Sequence, residues 1–370
     1  MNAAAIIVRA PAGVVVAVLC LFPLLFSDFV TSTIGVRSLF LGIAAASITY
    51  LVLHAGMISF SQTALYGIAG FTMANLAAAS GGIEHIRILG LDLGESWGPW
   101  QAAGAGVAVA TVIGVAFGFV CRASYGIYFL MLTLALAVLT FYFFGQVPQL
   151  SGFGGIGNVP RPHLIGNPVT DPTPLYYVAL AGAVGIYALF RSLVQTPFGL
   201  TLQGIRDDPI RMRSLGFRVE LHRTLAFGLG AFAAAIAGIL SVWYSGQVSP
   251  GSIDVIRTID VFAIAVVGGL GRIEGAWLGA FAFTTLDYAV KRWVGDALGS
   301  ALDGVTRFET WFGIIFLAIL LVSPGGLVGL VQSLGRRIHV RVRRQRQMPD
   351  DLTGPAPRAI EERRQRTDEG

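Results

Sequence analysis

Three stretches of this chain gather side chains that can do chemistry. The first is GMISFSQTALYGIAGF at 56–71, which sets Ser59, Ser61, Gln62 and Thr63 among Gly56, Gly67 and Gly70. Small residues let helices approach closely, and hydroxyls or an amide then bond across them. The same groups can also form a polar wall along which a hydrogen-bonding solute moves. The second stretch is TPFGLTLQGIRDDPIRMRSLGFRVELHR at 196–223. Asp207 or Asp208 can cap a helix there, and Pro209 suits its first position. Gly216 is placed to end that helix. Ile210, Met212 and Leu215 supply apolar contacts, while Arg206, Arg211 and Arg213 supply charge. A short helix closed at both ends reads either as an interfacial loop or as a rigid projection onto which a partner docks. The third stretch, VPQLSGFGGIGNVPRPHLIGNPVTDPTP at 147–174, is too dense in Gly and Pro for helix and reads as a structured turn region or a mobile loop.

Other chemistry is missing. A phosphate-binding P-loop needs GxxxxGK[ST]. Lys291 is the only lysine and lies in AVKRW, so this chain supplies no such ATPase site. His54, His85, His163, His222 and His339 are far apart and form no metal pair on a helix face. Cys20 and Cys121 match no metal spacing and are expected to form no disulfide. No serine or cysteine has a histidine and a carboxylate at a defensible spacing. No catalytic, metal or cofactor site is expected, and the chain is not read as an enzyme. Asp260, three residues after Arg257, and Asp287, one turn before Lys291, are the clearest carboxylates near apolar runs. Both are read first as members of local ion pairs.

The elements that must position these groups are membrane helices. The chain has 370 residues, 54% hydrophobic and 13% charged, whereas a soluble domain carries roughly 25% charged residues. The apolar residues come in blocks long enough to cross about 30 Å of hydrocarbon as helix. They do not alternate as barrel strands do. An all-α polytopic protein with about ten spans is expected, at 11–30, 37–54, 57–79, 100–121, 124–146, 175–193, 223–245, 258–271, 274–291 and 309–331. The last-but-one pair, broken by GGLGRIEG at 268–275, is either two spans or a re-entrant pair. The membrane region covers 1–335, with the 194–222 loop inside it. The tail at 336–370, with ten arginines, is expected to be disordered and to meet an anionic lipid surface rather than nucleic acid. With the N-terminus inside, 19 of the 26 basic residues fall on the cytoplasmic side and 7 outside. Positively charged loops stay inside, so both termini and the 194–222 loop are expected in the cytoplasm, in a bacterial inner membrane.

The order of the segments carries a resemblance. HAGMISFSQTALYGIAGF (54–71), YGIYFLMLTLALAVL (125–139), GFGGIGNVPRP (152–162), GIRDDPIRMRSLGF (204–217), AFAAAIAGILSVWYSGQVSP (231–250) and IDVFAIAVVGGLGRIEGAWLGA (259–280) together resemble permease subunits of the branched-chain amino acid ABC transporter family. Within it, the chain looks most like the subunit type with the YGIYF segment and the Gly-rich outer loop. The resemblance implies a pore built with a second homologous permease, two cytoplasmic ATPase subunits that use ATP, and a periplasmic solute-binding protein. It makes 204–217 the coupling helix, with Arg206, Asp207, Asp208, Pro209, Ile210, Arg211, Leu215 and Gly216 meeting the ATPase. Ser59, Ser61, Gln62 and Thr63 are read first as helix-contact residues and otherwise as part of the translocation path. Gly154, Gly155, Asn158 and Pro160 would meet the binding protein. Arg211, Met212, Arg213 and Ser214 depart from the family's usual Ala-rich or Glu-containing positions, which bears on the ATPase surface they fit. An ion-coupled secondary transporter is the alternative. The cargo is left open among branched-chain or other amino acids, urea, amides and aromatic acids.

Overall fold

One helix, α2 (Asp28–Ala55), runs for 28 residues through the middle of the protein, and the other helices are arranged around it and one long partner. The computed structural model describes residues 19–77, 87–88, 91–92, 97–148, 150–166, 168, 170–290, 313 and 326–329. The basic tail at 336–370, most of the expected 309–331 span, the start of the first span and Lys291 lie outside the described residues.

The helices follow from composition. After a short helical stretch, α1 (19–25), come α2, α3 (Gln62–Ala77), α4 (Pro99–Cys121), α5 (Gly126–Gln146) and α6 (Thr173–Val194). Then come α7 (Pro197–Asp207), α8 (Pro209–Ser214), α9 (Val219–Ser245), α10 (Val255–Gly268) and α11 (Gly275–Ala289). A pair of two-residue strands at 87–88 and 91–92 is the one sheet among the described residues. In lipid a backbone has no water to bond, so long apolar segments close their own ladders as helix. Their few hydroxyls do the same. Thr133 and Thr140 of α5 donate to the Leu130 and Leu136 carbonyls at 3.0 and 2.8 Å. Among the described residues, α2, α4, α5, α6 and α9 are long and apolar enough to span a membrane, and the chain is a multi-pass membrane protein.

The first two expected spans are divided differently. The break falls at Ser27, and 28–36 belongs to the second helix through a π-helical turn over Thr31–Val36. No proline interrupts 28–37, and Gly35 is absorbed where a Tyr176 ring edge lies against it. Such turns are rare and mark a local departure from regular packing.

Among the described residues, helices α3, α10 and α11 show 16, 14 and 15 residues, against the roughly 20 that cross hydrocarbon. Irregular backbone at 56–61, 246–254 and 269–274 adjoins them; Met57, Ser59, Val248, Ile253 and Ile273 in these stretches are buried, whereas Ile58, Gln247, Gly271, Arg272 and Glu274 are exposed. Helices α10 and α11 pack against each other and against α2, joined by the glycine turn at 269–274.

The core is two-tiered. Of their most apolar windows, α2 and α9 bury 78% and 72%, whereas α4, α5 and α6 each bury 28%. Helix α9 carries the run AFAAAIAGIL at 231–240 and packs on α2, α3 and α4. Its closest approach is at Gly238, where an added Cβ would lie 2.0 Å from the Tyr66 carbonyl oxygen. Without a hydrophobic drive between helices in lipid, such backbone proximity supplies the association.

The helices alternate in direction. The turns at 122–125, 195–218 and 269–274 gather at one end: Arg223 donates to the Arg122 and Ser124 carbonyls at 2.9 and 2.7 Å, and Tyr187 donates to Glu274 at 2.8 Å. The 147–166 loop lies at the other end with 246–249, through the Ile156–Val248 bridge.

The contact at Gly238 yields a prediction. Gly238→Val has no room against the Tyr66 backbone and is expected to remove the monodisperse species in detergent size-exclusion chromatography. Gly104→Val, whose Cβ meets open space, is expected to leave that species intact.

Candidate functional site

The 196–218 segment folds as an elbow. Thr196 caps α7, its hydroxyl accepting from the Gly199 N–H at 3.3 Å, and Pro197 takes the first helical position. Pro209 then forces the break. Its ring disfavours helix at the preceding residue, and Asp208 is extended at φ −151, ψ 94. From there the Asp208 carboxylate accepts from the Ile210 and Arg211 N–H groups at 3.0 and 2.9 Å. Of the two candidate caps, Asp208 therefore starts α8. Asp207 instead pairs with Arg206 at 2.8 Å. The 204–217 segment is thus two helices meeting at a corner, since Gly204–Asp207 end α7. Gly216, at φ +89, leads the chain away from α8, and the Phe217 N–H closes back on the Met212 carbonyl at 3.1 Å.

Two ties, one hydrogen bond and one ion pair, hold the elbow to the bundle. Arg206 donates to the Leu53 carbonyl near the end of α2. Arg213 pairs with Glu220 in the first turn of α9. Met212 tucks against Gly204. Ile210 and Leu215 make no such inward contact and are 77% and 64% exposed. The projection thus ends in an apolar tip flanked by Arg211 and Arg213. A cavity of about 410 Å³ lies beneath it, lined by Arg206, Pro209, Tyr125, Phe129 and Arg223 among others.

Ser59, Ser61, Gln62 and Thr63 stand where α2 has ended and α3 begins. All four are buried. Ser59 and Ser61 share a hydrogen bond at 3.1 Å. The Phe60 N–H donates to Thr133, two turns inside α5, at 3.3 Å, so α3 starts below the end of the bundle. Both amide atoms of Gln62 and the Thr63 hydroxyl are buried without a partner. A buried polar group normally finds one. Gln62 lies against Gly230, in the middle of α9. The arrangement gives α3 a polar, partly unsatisfied N-terminus inside the apolar bundle.

Gly154, Gly155, Asn158 and Pro160 lie in the loop at the far end. Ile156 and Val248 exchange bonds at 2.8 and 2.9 Å, the Val159 N–H donates to Gly246 at 3.0 Å, and Arg161 Nε donates to the Trp243 carbonyl at 2.7 Å. Of the two readings, a structured turn region describes it. Burial pushes the Arg161 pKa below its usual value. Asn158 takes a left-handed φ of 52, which asparagine tolerates better than most residues. Nothing in the loop brings these four residues together with the elbow or with 59–63.

The carboxylates have partners that sequence spacing missed in one case. Arg257 and Asp260 pair at 3.3 Å, three residues apart as read from sequence. Asp287 is buried and pairs with Arg37, 250 positions away on α2. Local spacing pointed to Lys291, and no sequence signal joined α11 to α2.

Asp208 is the hinge-point of the elbow, and its loss is measurable. Asp208→Ala removes the acceptor for two orphan N–H groups and costs about 1 kcal/mol of cap energy. Amide exchange at Ile210 and Arg211 is expected to quicken roughly fivefold while the middle of α9 is unchanged.

The sequence family described as branched-chain amino acid transport system / permease component matches residues 30–324. Among curated relatives, a probable branched-chain amino acid transport permease protein LivH of Methanocaldococcus jannaschii is 28% identical over 42% of this chain and 47% of its own. The high-affinity branched-chain amino acid transport system permease protein LivM of Escherichia coli is 26% identical over 62% of this chain and 58% of its own. The LivH protein of the same organism is 23% identical over 74% and 86%. The chain spans about half the length of the first curated relatives it matches. No solved structure matches it. With helices that cross a membrane and a family match running from α2 past α11, the chain belongs to the branched-chain amino acid transport system permease component family.

Proposed function

We propose that this chain is a membrane-spanning permease subunit of an ATP-driven, binding-protein-dependent importer, carrying branched-chain amino acids or related small polar solutes. The observation that carries this reading is α8. A six-residue helix capped by Asp208, tied down through Arg206 and Arg213, and tipped with exposed Ile210 and Leu215 suits docking into a cleft better than resting in lipid. Exposed apolar groups rimmed by charge are what a partner surface covers. The partner at that end is a pair of cytoplasmic ATPase subunits that use the ATP; the one lysine here, Lys291 in AVKRW, stands in no P-loop. A second homologous permease completes the pore, and a periplasmic solute-binding protein meets the Gly154–Pro160 loop. The protein sits in the inner membrane with the elbow and both termini in the cytoplasm. The region 1–335 forms the permease, and the arginine-rich 336–370 tail lies along anionic lipid.

In this reading the ATPases move α8 as they close. The ties to α2 and α9 pass that motion to the central helices, and the pore opens alternately to the two sides. The polar start of α3, with Ser59, Ser61, Gln62 and Thr63, lines part of the route.

Three measurements test it. Ile210→Glu, at an exposed tip, is expected to leave membrane insertion unchanged and to cut ATP-driven uptake at least tenfold; so is the paired change Arg206→Glu with Asp208→Arg. Copurification from mild detergent is expected to recover a second permease and P-loop ATPases, and to lose the ATPases in both variants. Normal uptake by Ile210→Glu removes the docking role of α8. Deleting Gly154–Gly157 is expected to reduce stimulation by the binding protein several-fold while insertion persists; equal stimulation removes that loop from the contact.

A further inference from the structure

The cavity beneath the elbow is walled by the end of α2 and the break after it, the first turn of α5, the corner of the elbow and the start of α9. Spanning helices begin and end here, so the cavity stands at the level where the bundle meets water. Its volume of about 410 Å³ falls in the range of small-molecule pockets. Met57, Ile58, Phe129 and Ile205 make its walls largely apolar. Arg206 and Arg223 are the charged residues among the described ones that line it, and no carboxylate joins them there.

The two arginines differ. Arg206 is offset by Asp207 at 2.8 Å. Arg223 is 5% exposed and has no ion-pair partner among the described residues. Its guanidinium donates to the Arg122 and Ser124 carbonyls and lies 4.1 Å from the centre of the Tyr125 ring. Those carbonyls belong to the turn that ends α4, and the carbonyl end of a helix carries about half a negative charge. About half of the Arg223 charge is then left over. Two carbonyl bonds also use only part of a guanidinium's donor set. A buried charge without a counter-charge is costly, and one anion in the cavity supplies it. A single phosphodiester matches that single excess charge.

The walls ask for an apolar part as well. Ile127 lines the cavity and is also exposed, and Met131, one turn further along α5, is exposed beside it. Helix α5 buries only 28% of its most apolar window, so an acyl chain can lie along that face while its headgroup enters. Tyr125 and Tyr128, both exposed, stand where tyrosines mark a membrane interface. A free phosphate would use the arginine and none of these surfaces.

We propose that this cavity binds one anionic phospholipid, its phosphodiester against Arg223 and Arg206 and an acyl chain along Ile127 and Met131. Basic pockets between spanning helices recognise such headgroups. With the elbow in the cytoplasm, as the importer reading has it, the lipid comes from the inner leaflet; only the choice of leaflet rests on that reading. A bound lipid joins α5 to the corner at Ile205 and Pro209, a link beyond the ties to α2 and α9.

The test is native mass spectrometry of the chain purified in mild detergent with whatever subunits accompany it. The sample is stripped of lipid and titrated with phosphatidylglycerol, or with phosphatidylcholine of the same acyl chains. The first phosphatidylglycerol is expected to bind about fivefold tighter than the first phosphatidylcholine, and Arg223→Gln is expected to erase that preference. Because Arg223 also holds the turn after α4, Ile58→Trp is the second variant. It narrows the cavity with every charge kept and is expected to weaken phosphatidylglycerol binding by about threefold or more. Arg218→Gln, exposed and outside the cavity, is expected to bind as the wild type does. Excess inorganic phosphate is expected to leave the lipid bound. Equal binding of the two lipids by the wild type, or unchanged phosphatidylglycerol binding by Arg223→Gln or Ile58→Trp, overturns the site. Displacement by phosphate makes it a small-anion site and overturns the lipid assignment. The subunits in the same sample are identified separately. ATPases without a lipid preference overturn the site alone; a lipid preference without ATPases upholds the site and removes the importer reading.

Discussion

Small side chains on one face of α9 hold this protein together. In water, a stripe of alanine and glycine would bury too little surface to organise a core. In lipid, apolar burial drives little, and what remains is how closely backbones approach. Gly238 against the Tyr66 carbonyl, Gly230 against Leu51 and Gln62, and Ala231 against Gly114 let α9 press on three neighbours at once. The peripheral helices α4, α5 and α6 have large exposed side chains such as Phe119, Tyr128 and Met131, facing outward where lipid or a partner fills the space.

That packing makes short helices tolerable. Helix α3 begins within the bundle after the break at 56–61, where Ser59 and Ser61 are buried and the Phe60 N–H bonds to Thr133; lipid allows such a break only where protein supplies the partners. The same interruptions bring polar side chains to depths that a continuous apolar helix would exclude. Ser59 and Ser61 satisfy one another, while Gln62 and Thr63 are left with nothing to bond. Membrane proteins with broken helices commonly place their solute contacts at such points.

Much of this was legible in the sequence. Long apolar runs at 100–121, 124–146, 175–193 and 223–245 needed only length and composition to read as helices, and the structure shows α4, α5, α6 and α9 there. The Asp-Asp-Pro wording at 207–209 marked a capped start, and the structure chose Asp208 because a residue before proline is driven extended. The corner itself, with 204–207 belonging to a separate helix, was less visible, because the apolar spacing of LTLQGIRD continues smoothly into it. The Arg37–Asp287 pair was not legible at all. It depends on which helices adjoin, and pairwise spacing along the chain carries no such information. The π-helical turn at 31–36 was hidden for a related reason: nothing in TSTIGV forbids an ordinary helix, and its wider winding appears only with Tyr176 packed against Gly35.

The elbow's two ties have a mechanical meaning. Arg206 fastens one side of the corner to the carbonyl end of α2, and Arg213 fastens the other to the start of α9. These are the two most enclosed spanning helices among the described residues. A push on the Ile210 tip is therefore a torque about a corner with two moorings, and neither central helix can yield alone. The pair must turn in step or one mooring must part, which makes the Arg213–Glu220 bond, exposed on both sides, the natural slip point of the crank.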